Sequence, residues 1–177
     1  MSKEKRNISV IKDADGNKIV MINDIRFKGK RRVDWKDVRE YLKTYVGDVY
    51  QIADTKDIIY IGAELPREYT GSKYTMSLRG TRAKAKANAA QGIPEMIEIA
   101  VNKQFKENQG ERHNKNAKYG WYRYETRFGL PVYNEVGEIE RYNIFKAILL
   151  IRHSFDKKTY LYDVLNIKKE TSNLFQS

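Results

Sequence analysis

Residues 119–133 read YGWYRYETRFGLPVY, residues 138–154 read EIERYNIFKAILLIRHS, and residues 157–170 read KKTYLYDVLNIKKE. All three stretches are rich in β-branched and aromatic residues, which favour strands. Short polar segments separate them, NEVG at 134–137 and FDKK at 155–158, and both suit tight turns. The C-terminal part of the chain is therefore predicted to form long strands in an antiparallel meander.

The N-terminal part begins with a second β pattern. Residues 8–22, ISVIKDADGNKIVMI, place two β-branched runs around Asp15-Gly16, a dipeptide that favours a hairpin turn because it tolerates positive φ. A helix is predicted to follow, with Asp34 as its N-cap. Two short strands and a polar loop containing Pro66 are expected after it.

Two further helices are predicted in the middle of the chain. The first is alanine-rich, starts at about Thr81 and ends at Gly92. Pro94 opens the second, in which Ile97, Val101 and Phe105 share a face. The predicted fold class is α+β: an N-terminal β-hairpin and helix, then two helices packed on an antiparallel β-meander.

We expect this fold to have two parts. Residues 34–177 form an α+β nuclease-like domain, and residues 1–33 form an N-terminal β-hairpin and basic arm. The basic run of this arm suits a phosphate backbone. We interpret hairpin and run as a recognition arm outside the core; the alternative is a pair of edge strands that only covers the sheet. The run consists of Arg26, Lys28, Lys30, Arg31 and Arg32.

Charge is the main indication of a partner. The chain has 34 Lys+Arg against 23 Asp+Glu, a formal net charge of +11, and 12% of its residues are aromatic. A polyanion is the expected partner of such a protein, and the aromatic rings provide faces for stacking bases. The alternative is that the excess charge only keeps the protein in solution.

Several classes of protein are disfavoured by what the sequence lacks. It has no cysteine, which removes disulfide scaffolds, zinc knuckles and thiolate nucleophiles. It has two histidines and no carboxylate cluster beyond Asp13 and Asp15, so we expect neither a metal site nor a cofactor. The sequence also lacks a signal peptide and an apolar run of about 20 residues, which favours a cytoplasmic protein without a membrane partner.

Cleavage of RNA without a metal needs a general base, a general acid and cations that stabilise the phosphorane. In the strand 121–127, alternation places Glu125 and Arg127 on one face and Tyr122 on the other. A sheet lined by such residues beside a basic helix is the predicted site. The alternative is that Arg–Glu pairs only stabilise the sheet across strands. The candidate catalytic residues are His113, Glu125, Arg127, His153 and Tyr162.

A second group of residues is predicted to bind RNA. The helix that starts near Gly80 presents free N–H groups to an anion, and Arg82 and Lys86 fall on one of its faces. A solvated helix face is the alternative. The candidate RNA-binding residues are the basic run of the arm together with Arg82, Lys84, Lys86, Lys115, Tyr122, Arg123, Lys146 and Arg152.

Three quoted stretches carry a resemblance to a known family. They are GTRAKAKANAAQGIPEMIEIA at 80–100, AKYGWYRYETRFGLPVY at 117–133 and ERYNIFKAILLIRHSFDKKTYLYDVLNIKKET at 140–171. They resemble a domain of the large polyvalent proteins of phages and conjugative elements, which is similar to the barnase–EndoU–colicin–RelE superfamily. The resemblance covers about residues 75–172. It implies two helices followed by a four-stranded antiparallel sheet, and metal-independent ribonuclease chemistry.

As a small basic protein with an added hairpin, the chain also resembles type II-A anti-CRISPR proteins. That resemblance implies a bacterial host cell, with the guide RNA and the type II effector nuclease as partners. The implied activity is truncation of the guide RNA, by this chain alone or together with the effector. A non-catalytic inhibitor that binds RNA or occupies the effector's nucleic-acid groove, and a toxin-like general ribonuclease, are the alternatives.

Overall fold

The computed structural model describes residues 6–29, 31–107 and 117–170. Within these residues the strands form one eight-stranded sheet in the order β1-β2-β6-β7-β8-β4-β3, and β5 pairs with β6. The strands are β1 (Ile8–Lys12), β2 (Lys18–Ile22), β3 (Val49–Gln51), β4 (Ile58–Tyr60), β5 (Val101–Lys106), β6 (Trp121–Tyr133), β7 (Ile139–His153) and β8 (Thr159–Lys169). The helices are α1 (Trp35–Leu42), α2 (Leu65–Gly71), α3 (Lys73–Ser77), α4 (Gly80–Ala89) and α5 (Ile93–Glu98).

The predicted α+β fold class is confirmed, including the hairpin, the helix capped by Asp34 and the meander. Strands β6, β7 and β8 are antiparallel neighbours, with Trp121 opposite Arg152 and Arg152 opposite Tyr160. The sheet as a whole is mixed, because β2 runs parallel to β6 and β4 parallel to β8. No helix in the described residues is long and apolar enough to cross a membrane.

The helices cover one face of the meander. Tyr124 and Phe128 of β6 and Leu149 of β7 are buried in the same apolar cluster as Ala85 and Ala89 of α4. Because side chains alternate along a strand, the immediate neighbours of these positions, such as Glu125 and Arg127 of β6 and Ile148 of β7, point to the opposite face. We call that opposite face of β6, β7 and β8 the outer face.

Two sequence-based predictions of local structure are wrong. The expected polar loop around Pro66 forms α2 and α3: Pro66 lies in the first turn of α2, where its missing N–H costs little, and Ser72 caps α3 by accepting from the Thr75 amide at 3.2 Å. The helix opened by Pro94 ends at Glu98, so Phe105 lies in strand β5. Residues 101–106 form a strand because they pair with β6. Local residue propensities do not reveal a pairing with a strand that is distant in sequence.

The interpretation of the hairpin as an arm outside the core is also wrong. Val20 and Ile22 of β2 are fully buried in the main core cluster, and Val20 and Met21 pair with β6. Ile19 and Met21 form a second apolar cluster with Ile144. The hairpin is therefore part of the sheet and of the core.

Candidate nucleic-acid interface

A pocket of about 590 Å³ lies on the outer face, between the β1–β2 turn and the start of β5. Arg127 of β6 stands opposite Lys146 of β7, and Lys146 stands opposite Lys168 of β8, so three cations form one row across the sheet. Glu125 lies two residues before Arg127 on the same face. The pocket thus contains the carboxylate and the cations that metal-free phosphoryl chemistry requires.

Arg127 does not offer a free cation to this pocket. Its Nε and Nη2 donate to the two carboxylate oxygens of Glu170 at 2.7 and 2.9 Å, and its Nη1 donates to Asp13 at 2.7 Å. The hydrogen bond with Glu170 raises the pKa of the Arg127 guanidinium, and the hydrogen bond from Arg127 lowers the pKa of Asp13. Arg127 therefore ties the β1–β2 turn to the end of β8.

Glu125 is more accessible than Arg127. Its side chain is exposed and accepts one hydrogen bond, from Nδ2 of Asn102 at 2.7 Å. Asn102 has a positive φ of 57° where the register of β5 and β6 shifts, which brings its side chain over Glu125. The pocket is thus lined by an exposed carboxylate, that of Glu125, and by the exposed ammonium groups of Lys146 and Lys168.

Two of the remaining predicted residues of the outer face, Tyr162 and Arg152, have structural partners. Tyr162 packs edge-to-face on Trp121 with ring centroids 5.1 Å apart. Arg152 is almost fully buried, forms a salt bridge with Glu64, and lies 4.3 Å from the centre of the Tyr160 ring. Arg123 is half-buried in the same row as Leu150.

The predicted catalytic residues do not all meet. His153 lies on the face opposite Glu125, where its Nε2 is 3.1 Å from the carbonyl oxygen of Lys157. The sequence also predicted that the basic helix, α4, lies beside these residues. In the structure α4 packs on the face of the sheet opposite Glu125. Three predicted residues lie outside the described residues: Lys30, His113 and Lys115.

A second concave surface lies on the helical side of the molecule. It is a groove of about 260 Å³ between residues 31–35 and the junction of α3 with α4. No acidic side chain of the described residues lines this groove, and none of its four basic side chains forms an ion pair there. We call it the basic groove; its cations are Arg31, Arg32, Arg79 and Lys84.

Arg79 is the member of the basic groove that the sequence reasoning missed. Its Nη1 donates to the carbonyl oxygens of Met76 and Leu78, both at 2.7 Å, which holds the guanidinium at the rim. Gly80 follows with a positive φ of 56° and begins α4. A cation directly before the glycine that opens a helix is the signal that was available in the sequence.

Lys86 was predicted to contact RNA, and this prediction is wrong because the side chain is fully buried. Its Nζ donates to Oδ1 of Asp163 at 2.6 Å and to Oγ1 of Thr75 at 2.5 Å. Lys84 and Arg82 are exposed. The cationic surface of α4 is therefore formed by these two residues and not by Lys86.

Among the arm residues, Lys28 and Arg26 are exposed, and the Arg26 guanidinium lies 4.9 Å from the centre of the Tyr41 ring.

The described residues contain no group of three or more His, Asp or Glu side chains arranged to hold a metal ion. No protein-family model matches this sequence, and no curated protein matches it either.

Proposed function

We propose that this protein binds RNA and inhibits a type II RNA-guided effector nuclease by acting on its guide RNA. The observation that carries the proposal is the basic groove, in which four cations face one concave surface without a neutralising carboxylate among the described residues. Such a surface attracts a phosphate backbone independently of base sequence. The setting that follows is the cytoplasm of a bacterial host cell.

The order of the elements supports the link to ribonucleases. Two helices, α4 and α5, are followed by four strands that pair in the order β5-β6-β7-β8, each antiparallel to its neighbours. This is the arrangement that the resemblance to the barnase–EndoU–colicin–RelE superfamily implies. It supports a catalytic role for the sheet in addition to a binding role.

We place the truncation of the guide RNA at the outer-face pocket. The Glu125 carboxylate takes the proton of a ribose 2′-hydroxyl, and the 2′-oxygen attacks the adjacent phosphorus. The ammonium groups of Lys146 and Lys168 stabilise the phosphorane charge. As the bond from phosphorus to the 5′-oxygen breaks, one of these lysines donates a proton to that oxygen. The products are a 2′,3′-cyclic phosphate and a 5′-hydroxyl.

The test is to incubate the protein with end-labelled guide RNA, with and without the effector nuclease and with and without EDTA. We expect truncation that persists in EDTA, requires the effector complex, and leaves a cyclic phosphate. Glu125→Gln should lower the rate by about 100-fold or more, the usual contribution of a general base. The exposed Glu135→Gln in the β6–β7 turn is the matched control.

The other outcomes distinguish the alternatives. Binding of guide RNA without cleavage identifies a non-catalytic inhibitor, and cleavage of unrelated RNA without the effector identifies a general ribonuclease. Cleavage that needs Mg²⁺ and leaves 3′-hydroxyl ends assigns the cut to the effector. If neither guide RNA nor the effector complex is bound, the proposed function is wrong.

A further inference from the structure

Four rings form a continuous row at the end of the sheet where β5, β6 and β7 meet. Phe105 lies 5.2 Å from Tyr122, Tyr122 lies 5.8 Å from His153, and His153 lies 5.1 Å from Tyr119, measured between ring centroids. We call this row the aromatic ladder. It shares no residue with the basic groove or with the outer-face pocket.

The outer members of the ladder are accessible. Phe105 is 55% exposed and Tyr119 is 37% exposed, so both rings are open to a ligand. Cations accompany them: Nζ of Lys103 lies 4.5 Å from the centre of the Tyr122 ring, and Nζ of Lys118 lies 5.6 Å from that of Tyr119. The combination of exposed rings and ammonium groups is complementary to stacked bases and their phosphates.

The backbone holds the ladder in place. The Tyr119 amide donates to the His153 carbonyl at 3.0 Å, and the His153 amide donates to the Gly120 carbonyl at 2.9 Å. Gly120 has a φ of 99°, and a Cβ at this position would lie 2.7 Å from the Phe105 ring. Glycine therefore lets the Phe105 ring lie directly against the backbone, which limits the ordering that binding would otherwise require.

The carboxylate of Asp57 lies near this surface and already has hydrogen-bond donors. Asp57 accepts hydrogen bonds from the Tyr124 hydroxyl at 2.5 Å and from the Thr55 hydroxyl at 2.6 Å, and forms a salt bridge with Lys103 at 2.9 Å. Burial opposes ionisation of Asp57, but these donors outweigh it and lower its pKa. Asp57 thus positions Lys103 over the Tyr122 ring.

We propose that the aromatic ladder binds an unpaired, single-stranded segment of RNA by stacking its bases. The inference rests on the proposed RNA-binding function and adds the class of RNA that this surface takes. Stacking on aromatic rings suits single strands, because the bases of a duplex keep their faces covered. An RNA with both duplex and unpaired parts would place its phosphates in the basic groove and its free bases on the ladder.

The first test measures the binding of two labelled RNAs by fluorescence anisotropy, an oligouridine of about 12 nucleotides and a hairpin duplex of similar length. Phe105→Ala and Tyr119→Ala should each weaken binding of the single strand roughly 5- to 100-fold and leave binding of the duplex unchanged. Phe105→Trp should retain binding. Tyr133→Ala, an exposed tyrosine at the far end of β6, is the matched control.

The outcomes separate this inference from the proposed function. If the wild-type protein binds neither of these RNAs nor guide RNA nor the effector complex, both fail. If it binds the duplex but not the single strand, the ladder inference alone is wrong. If it binds RNA but the alanine variants bind the single strand as tightly as the wild type, the ladder inference alone is wrong. The inference is also overturned if the variants keep their affinity for the single strand but no longer bind the effector protein. In that case the ladder binds protein.

A second test uses the wild-type protein and so does not depend on how the variants fold. Ultraviolet crosslinking to an oligonucleotide that contains 4-thiouridine, followed by mass spectrometry, should map crosslinks to the peptides that carry Phe105, Tyr119 and Tyr122. Crosslinks confined to other parts of the chain would overturn the proposal.

Discussion

Lys86 and Asp163 form an ion pair that is enclosed by other side chains. The ring centres of Tyr69 and Tyr74 lie 4.6 and 5.1 Å from the Lys86 Nζ, and the Thr75 hydroxyl oxygen accepts a hydrogen bond from it. Burial lowers the pKa of Lys86 and raises that of Asp163, so desolvation opposes the charged form of both. Such a pair contributes little net stability, but removing either partner leaves the other charge buried without compensation.

We therefore expect Lys86→Met to lower the free energy of unfolding by about 3–5 kcal/mol, because it leaves Asp163 buried without its partner. Urea denaturation provides the measurement. Lys84→Met, an exposed position two residues earlier on the same helix, should change stability by no more than about 0.5 kcal/mol.

The double variant Lys86→Met/Asp163→Leu tests the cause. It should recover most of the lost stability, because apolar residues of similar volume often replace a buried pair without loss. If Lys86→Met is as stable as the wild type, or if the double variant is no better than the single one, the buried pair does not have this role.

At the scale of elements, the β1–β2 hairpin joins two roles. Its strand β2 extends the sheet alongside β6, and its turn carries Asp13, which binds Arg127 at the outer-face pocket. The two strands differ in burial: Val10 of β1 is 44% exposed, while its partner Val20 of β2 is fully buried. The hairpin thus has one core strand and one surface strand.

This difference predicts unequal effects of substitution in the two strands. Ile22→Ala in β2 should lower the free energy of unfolding by about 2–5 kcal/mol, because it opens a cavity in the main core. Val10→Ala in β1 should lower the free energy of unfolding by no more than about 0.5 kcal/mol.

Removing residues 1–22 should leave a chain that does not fold cooperatively in thermal denaturation. A truncated chain that melts as the wild type does would restore the view of the hairpin as a separate arm.

At the scale of the whole molecule, the 34 Lys and Arg side chains that exceed 23 Asp and Glu side chains serve at least two roles. Some cations are tied to carboxylates, as Arg6 is to Glu95, Arg127 to Glu170 and Lys86 to Asp163. Others face the basic groove without such a partner among the described residues. Cations that are not tied to a carboxylate can release counterions when a nucleic acid binds.

Binding of duplex RNA should therefore weaken steeply as salt rises, with log K falling linearly against log of the salt concentration. Arg31→Gln/Arg32→Gln should reduce the magnitude of that slope by about 2, one for each lost phosphate contact. Arg141→Gln, an exposed arginine paired with its neighbour Glu140, is the control and should leave the slope unchanged. A slope near zero for the wild type would contradict a role for charge in binding.

The α+β class, the hairpin turn, the cap of α1 and the three long strands were predictable because each depends on residues close together in sequence. Asp15-Gly16 favours a turn, Asp34 caps the residues that follow it, and β-branched runs favour strands wherever they lie. Alternation along β6 also placed Glu125 and Arg127 on one face and Tyr122 on the other, as the structure has them.

Only the tertiary structure decided which of these residues is available for function. Local pattern cannot show that Arg127 meets Glu170, that Lys86 meets Asp163, or that β5 replaces the end of a predicted helix by pairing with β6. Each partner is distant in sequence, and the free energy of burial and of strand pairing is a property of the assembled chain. The sequence shows that a residue is charged but not whether its side chain faces solvent or a buried carboxylate. Tertiary packing determines which of these two environments it has.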